Sequence, residues 1–160
     1  RILSISFLVL NAIGALMPAF VLEPLTRRYG QVNVHTACLA TMAVGYAGVY
    51  FAAHTPGALY GWMALMGIGW GAIVSLPFAI MSQRVDQSRI GLYMGVFNLS
   101  VVLPQLLASL AIGTLLLRVA DQGAMFLIAS ACLALSTLAW TFVRRAGDGA
   151  DVKVAAGAAH

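Results

Sequence analysis

Asn98 and Gln105 stand one heptad apart inside an otherwise apolar run. A carboxamide both donates and accepts hydrogen bonds, which suits the hydroxyls of a sugar. The two belong to a stripe of Gly91, Gly95, Asn98, Val102, Gln105, Ser109 and Gly113, whose spacings of three and four put it on one helix face. Such a stripe turns toward protein or a water-filled path and away from lipid. Hydrogen bonding between helices, at about 0.6 kcal/mol per contact in membrane bundles, is the competing use of both carboxamides. Pro104, next to Gln105, removes a backbone hydrogen bond and frees a carbonyl one turn earlier.

A second run repeats the pattern. Ala64, Gly67, Gly71, Ser75, Ala79 and Ser82 share a face, a ridge that lets another helix backbone come close. Pro77 kinks this run, and Ser75 lies near enough to satisfy the disturbed backbone. Trp70 is a candidate for the wall of a path, where an indole stacks on a sugar ring; ordinary packing is its other use. A third run places Asn11 at mid-depth, where a polar side chain must find either a packing partner or a cavity. His35 reads as an interfacial snorkelling or capping group, not as a proton relay.

The elements that position these residues follow from composition. Hydrophobic residues make up 61% of the chain and charged residues 9%, against ~25% charged in a soluble domain. With a mean hydropathy of +0.92, the chain has too little polar surface to stay dissolved and belongs in a lipid bilayer. Five apolar segments, about 2–22, 34–53, 59–81, 90–117 and 124–143, are each near or above the ~20 residues that cross a membrane. Unpaired backbone groups are not tolerated in lipid, so all five are expected to be helices. The expected fold is all-α, a polytopic bundle over 1–145. The Ala- and Gly-rich tail 146–160 is expected to be disordered and cytoplasmic.

The net charge of +4 does not point to nucleic acid, because the charges sit in short connectors. Arg27, Arg28, Arg84, Arg89, Arg144, Arg145 and Lys153 fall on one side of the alternating arrangement, and only Arg1 and Arg118 fall on the other. The positive-inside rule puts the larger set in the cytoplasm, with the C-terminus. Arg84 and Arg89 are expected to fix topology and to pair with Asp86; Glu23 is a candidate partner for Arg27 or Arg28. Ser130, Ser136 and Thr137 are expected to bond back to their own helix. Cys38 and Cys132 read as packing residues without metal-ligand spacing. No carboxylate lies deep in any segment, and no catalytic set, metal motif or nucleotide loop is present, so neither an enzyme nor a bound cofactor is expected.

The stretches GIGWGAIVSLPFAIMS and RIGLYMGVFNLSVVLPQLLAS resemble the tenth and eleventh helices of sucrose-transporter-like members of the major facilitator superfamily. That group includes plant sucrose–proton symporters, the solute carrier 45 group of animals and bacterial homologues that handle disaccharides. LTRRYG, from Leu25 to Gly30, resembles a degenerate copy of the superfamily's loop motif, with Arg27 where an aspartate is usual. The resemblance implies that the chain is a fragment carrying helices eight to twelve of a twelve-helix carrier, its N-terminal half missing. It implies secondary active transport of a sugar, a disaccharide or glycoside, by proton-coupled symport and alternating access. The proton is then the coupling ion, and the bacterial inner membrane the expected location. On this reading Asn11, Trp70, Ser75, Asn98 and Gln105 form the substrate path. Gly67, Gly71, Pro77, Gly91, Gly95 and Pro104 serve packing and gating. The alternatives are export of another small molecule, or a non-transporting scaffold or sensor derived from a carrier.

Overall fold

Long apolar segments separated by Gly, Pro and Asp turns form a helical bundle in the computed structural model, which describes residues 1–116, 121 and 123–157. The elements are α1 (Ile2–Met17), a π-helical turn (Pro18–Leu22), α2 (Glu23–Tyr29), α3 (Gln31–Ala52), α4 (Pro56–Arg84), a 3₁₀ turn (Gln87–Arg89), α5 (Ile90–Leu116) and α6 (Ala124–Gly157). Among the described residues five spans are long and apolar enough to cross a membrane: Ile2–Tyr29, Gln31–Ala52, Pro56–Arg84, Gln87–Ile112 and Ala124–Val143. The connector 118–122 is described only at Asp121, and residues 158–160 of the tail lie outside the described residues.

The first span is longer than the sequence suggests. Pro18 cannot donate to Gly14, and the backbone answers with a π-helical turn instead of a break. Leu22 and Glu23 stay in right-handed helical geometry where the π-helical turn meets α2, so the segment expected as a connector is helical as far as Tyr29 in spite of Pro24. Gly30 ends it with φ +82°, the one positive φ among the described residues. Thr55 starts α4 by accepting a hydrogen bond from the Ala58 N–H (3.2 Å), with Pro56 in the first turn. At the other end α6 runs on to Gly157 and does not stop at Val143. The backbone of 146–157 is helical where disorder was expected: adding residues to an existing helix is favourable for alanine, and no proline interrupts the run.

α4 is the centre of the bundle. It packs against α1 on one side and α3 on the other, and α3 in turn packs against α6. Glycines set both α4 contacts. A Cβ at Gly67 would lie 2.6 Å from the Leu10 carbonyl, and one at Gly71 would lie 2.6 Å from the Gly14 carbonyl. On the α3 side, a Cβ at Gly69 would lie 2.9 Å from the Cys38 carbonyl and collide with Met42. Close backbone approach of this kind holds helices together where lipid removes the hydrophobic drive between them. Two buried clusters fill the joints, one of Leu22, Val34, Cys38, Ala72, Leu76 and Ile80, the other of Met42, Met63 and Met66. Ser130 on α6 donates to the Ala43 carbonyl of α3 at 2.8 Å, so this hydroxyl joins two helices and does not bond back to its own. Thr137 does bond back, to Leu133.

α5 differs from every other span. None of its described side chains is buried, and its glycines meet nothing: a Cβ at Gly91 or Gly95 would have no neighbour within 4 Å. The close packing expected at these two glycines is therefore absent among the described residues. Their small face is turned to open space, because no helix of the bundle lies against it.

Candidate functional site

α5 stands off from the bundle and borders, with α3, α4 and α6, a cavity of about 990 Å³ that is open to the surroundings. Its lining comes from four helices. α4 gives Trp70, Ile73, Val74, Pro77 and Phe78; α5 gives Met94, Phe97, Asn98, Ser100, Val101 and Gln105. α3 adds His35 and Leu39, and α6 adds Leu133, Ser136 and Trp140. On α5 the lining positions 94, 97, 98, 101 and 105 follow the helical repeat. The cavity face is thus rotated from the glycine face and shares Asn98 and Gln105 with it. Phe78 and Phe97 meet edge to face with ring centroids 5.9 Å apart, bridging α4 and α5.

Two prolines work on this space. Pro77 leaves the Ile73 carbonyl without its usual helical donor, and Pro104 does the same to Ser100. Both Ile73 and Ser100 line the cavity. The Ser100 hydroxyl is itself engaged, donating to the Phe97 carbonyl at 2.7 Å.

Of the residues singled out in the sequence, Trp70, Pro77, Asn98 and Gln105 come together around this cavity. Asn11 does not reach it. It lines a smaller cleft of about 260 Å³ with Gly14, Pro18 and Gly71, and its Nδ2 donates to the Phe7 carbonyl at 2.8 Å. Trp70 and Val74 border both spaces, so the indole is the partition between them. Ser75 lines neither. Its hydroxyl donates to the Gly71 carbonyl one turn back at 2.7 Å, where the bond serves the helix above Pro77 and not a solute.

His35 departs furthest from expectation. It is 2% exposed, packed with its ring centroid 4.5 Å from that of Trp140, and it lines the cavity. The sequence marked it as interfacial because it lies only four residues into α3. α6 crosses α3 at this level and covers it. Ser136 and Trp140 were also missed as lining residues. Both lie on the apolar α6 segment, whose sequence carries no stripe to mark its inward face.

The cytoplasm-assigned connectors hold ordinary local chemistry. Arg27 donates to Glu23 at 2.7 Å, one turn apart and largely exposed, an arrangement that contributes little to stability. Asp86 does not pair with Arg84 or Arg89. Its carboxylate accepts from the Ser88 N–H at 2.9 Å and starts the turn into α5. That bond holds the Asp86 carboxyl below the usual carboxylate range. Among the described residues no group of His, Cys, Asp or Glu is placed to hold a metal.

The geometry is that of a neutral, partly polar chamber between membrane helices, with no Asp, Glu, Lys or Arg among its described lining residues. No curated protein and no solved structure matches the chain. The family model of the Major Facilitator Superfamily matches residues 2–159, nearly the whole sequence. Helices of spanning length and tight glycine packing accord with that match, and the chain belongs to the major facilitator superfamily of membrane transporters.

Proposed function

We propose that this chain forms the C-terminal portion of a proton-coupled sugar transporter, carrying its eighth to twelfth helices and taking a disaccharide or related glycoside. One observation carries the reading. Asn98 and Gln105 share a chamber with Trp70 and Trp140, and no charged side chain is among its described lining residues. Carboxamides bond hydroxyls, indoles cover the apolar face of a sugar ring, and the absence of charge suits an uncharged solute. The volume of about 990 Å³ lies at the upper end of the roughly 300–1,000 Å³ range of ligand pockets. The resemblance at Gly69-Trp70, at Ser75 to Ala79 and at Gly91 to Gln105 points to the same solute class.

The partner of this bundle is then an N-terminal six-helix half facing Gly91 and Gly95, with alternating access between the halves. The basic residues Arg27, Arg28, Arg84 and Arg89 set their connectors, and the C-terminus, in the cytoplasm of a bacterial inner membrane. The coupling proton is carried by residues of the other half, since no carboxylate lies deep in these helices. A second reading, export of a more apolar small molecule, is favoured by Leu39, Ile73, Val74, Met94, Val101 and Leu133, which make much of the wall hydrophobic.

Uptake of radiolabelled sucrose and maltose into proteoliposomes holding the complete transporter, with and without an imposed pH gradient, tests the proposal. Gradient-driven accumulation is expected. Absence of uptake for both sugars under either condition sinks it, and gradient-dependent efflux of an apolar dye in their place supports the second reading.

A further inference from the structure

A second cleft, of about 380 Å³, opens on the surface of the bundle and shares no lining residue with the chamber of Asn98 and Gln105. Along α3 it runs from Asn33 past Ala37 to Thr41, one face of the helix and about 12 Å of its axis. Met17 of α1 and Ile68 of α4 lie at its inner end, and Tyr29 of α2 stands with Asn33 at the Gly30 turn. The inner part is apolar apart from Thr41, whose hydroxyl already donates to the Ala37 carbonyl at 2.9 Å. The outer end is cationic. Arg28 lies over the Tyr29 ring, its Cζ 5.3 Å from the ring centroid, so a guanidinium stands beside a lining residue. Among the described residues no carboxylate pairs with Arg28; Glu23 is engaged by Arg27 at 2.7 Å. α3 begins at the same turn without a side-chain cap. The Val34 N–H donates to the Gly30 carbonyl at 3.1 Å, and the amides of Gln31, Val32 and Asn33 precede it at the positive end of the helix dipole.

We propose that this cleft binds an anionic phospholipid of the leaflet on the Arg27–Arg28 side of the membrane. One acyl chain lies along Ala37 and Thr41 toward Met17 and Ile68, and the phosphodiester meets Arg28 and the Tyr29 hydroxyl. A guanidinium matches phosphate oxygens in shape and charge, and basic pockets between membrane helices hold lipid head groups for that reason. Charge then selects among lipids. A zwitterionic head group brings a cation of its own to a turn that already carries Arg27 and Arg28, whereas an anionic one does not. The inference is independent of which solute the chamber takes.

The test incubates the complete transporter, purified in detergent, with equal amounts of dioleoylphosphatidylglycerol and dioleoylphosphatidylcholine and reads the retained lipid by native mass spectrometry. The parent is expected to prefer the anionic lipid about fivefold, the preference that one arginine near a membrane surface gives. Arg28→Gln is expected to abolish that preference, and Arg84→Gln, at another basic connector, to keep it. Ala37→Trp fills the cleft from its wall and is expected to lose most of the retained lipid of both kinds, with its thermal midpoint in lipid-free detergent unchanged. Equal retention of the two lipids by the parent overturns the inference, and so does a parental preference in Arg28→Gln. An equal loss of preference in Arg84→Gln means that surface charge in general attracts the lipid, which also overturns it. Full retention in a folded Ala37→Trp protein places the lipid elsewhere and overturns it as well. Should Ala37→Trp fail to fold, the two arginine variants decide alone. Displacement of the lipid by inorganic phosphate at equal concentration means that the anion alone is recognised, and overturns the lipid assignment.

Discussion

At the scale of single residues, polar atoms in this bundle divide by what already occupies them. The Ser75 hydroxyl is spent on Gly71, whereas Asn98 and Gln105 line open space. Gln105→Leu is therefore expected to reduce sucrose uptake about tenfold or more with normal membrane insertion, and Ser75→Ala to leave uptake within about twofold. That tenfold is the ~1.4 kcal/mol of a single hydrogen bond to solute. Parallel loss in both variants would mean that packing, and not contact with solute, explains the effect. The carboxamides were legible in the sequence because a polar residue at helical spacing in an apolar run has few possible reasons to be there. Ser75 was misplaced because spacing reports which face a hydroxyl occupies, not whether it has already bonded to its own backbone. His35 was misplaced for the opposite reason. Its distance from the helix end is visible in the sequence, but the α6 side chains that bury it are not.

At the scale of elements, two sets of glycines with the same sequence pattern have different fates. Gly67 and Gly71 bring α4 against α1, while Gly91 and Gly95 face nothing. Gly71→Ala puts a Cβ 2.6 Å from a backbone carbonyl and is expected to destabilise the protein by about 1–3 kcal/mol, read from denaturant unfolding in detergent. Gly95→Ala gains up to ~1 kcal/mol of helix propensity and is expected to unfold no earlier than the parent. If it nonetheless abolishes uptake, the face meets the other half of the carrier during the cycle. A Gly95→Ala protein with parental uptake would show that this face closes on nothing. The small-residue ridge predicted both sets equally, since a ridge states a capacity for close approach and the partner decides its use. The turn into α5 carries a local prediction of its own. Asp86→Ala removes the bond to the Ser88 N–H and should speed amide exchange there. In the native protein the depressed Asp86 pKa makes this cap's contribution complete above the unfolded value of about 3.9, and lost as pH falls through the lower folded value.

At the scale of the whole molecule, α1, α3, α4 and α6 form a joined block and α5 is attached through the Asp86 turn and the Phe78–Phe97 contact. The number of helices was readable from apolar run length alone, and their boundaries were off mainly where proline occurs early in a segment or where alanine extends one. Which helix stands apart was not readable, because α5 is as apolar as its neighbours and its separation depends on backbone approach elsewhere. Topology gives the corresponding test. Cysteines placed at Arg28 and Gln87 are expected to react with an impermeant thiol reagent from one side of the membrane, and one at Gly57 from the other; reaction of all three from one side would refute the alternating arrangement.

The exposed state of α5 also bears on how such a carrier changes its diet. Where a side chain that contacts a ligand also packs in a core, replacing it disturbs stability as well as preference. Here Phe97, Asn98, Val101 and Gln105 border the chamber from a helix that contributes no buried side chain among those described. Their replacement leaves the glycine-locked block untouched. On the proposed reading of the chamber as the solute site, variation at these four positions is expected to yield proteins that insert and melt alike while differing in the solutes they accept.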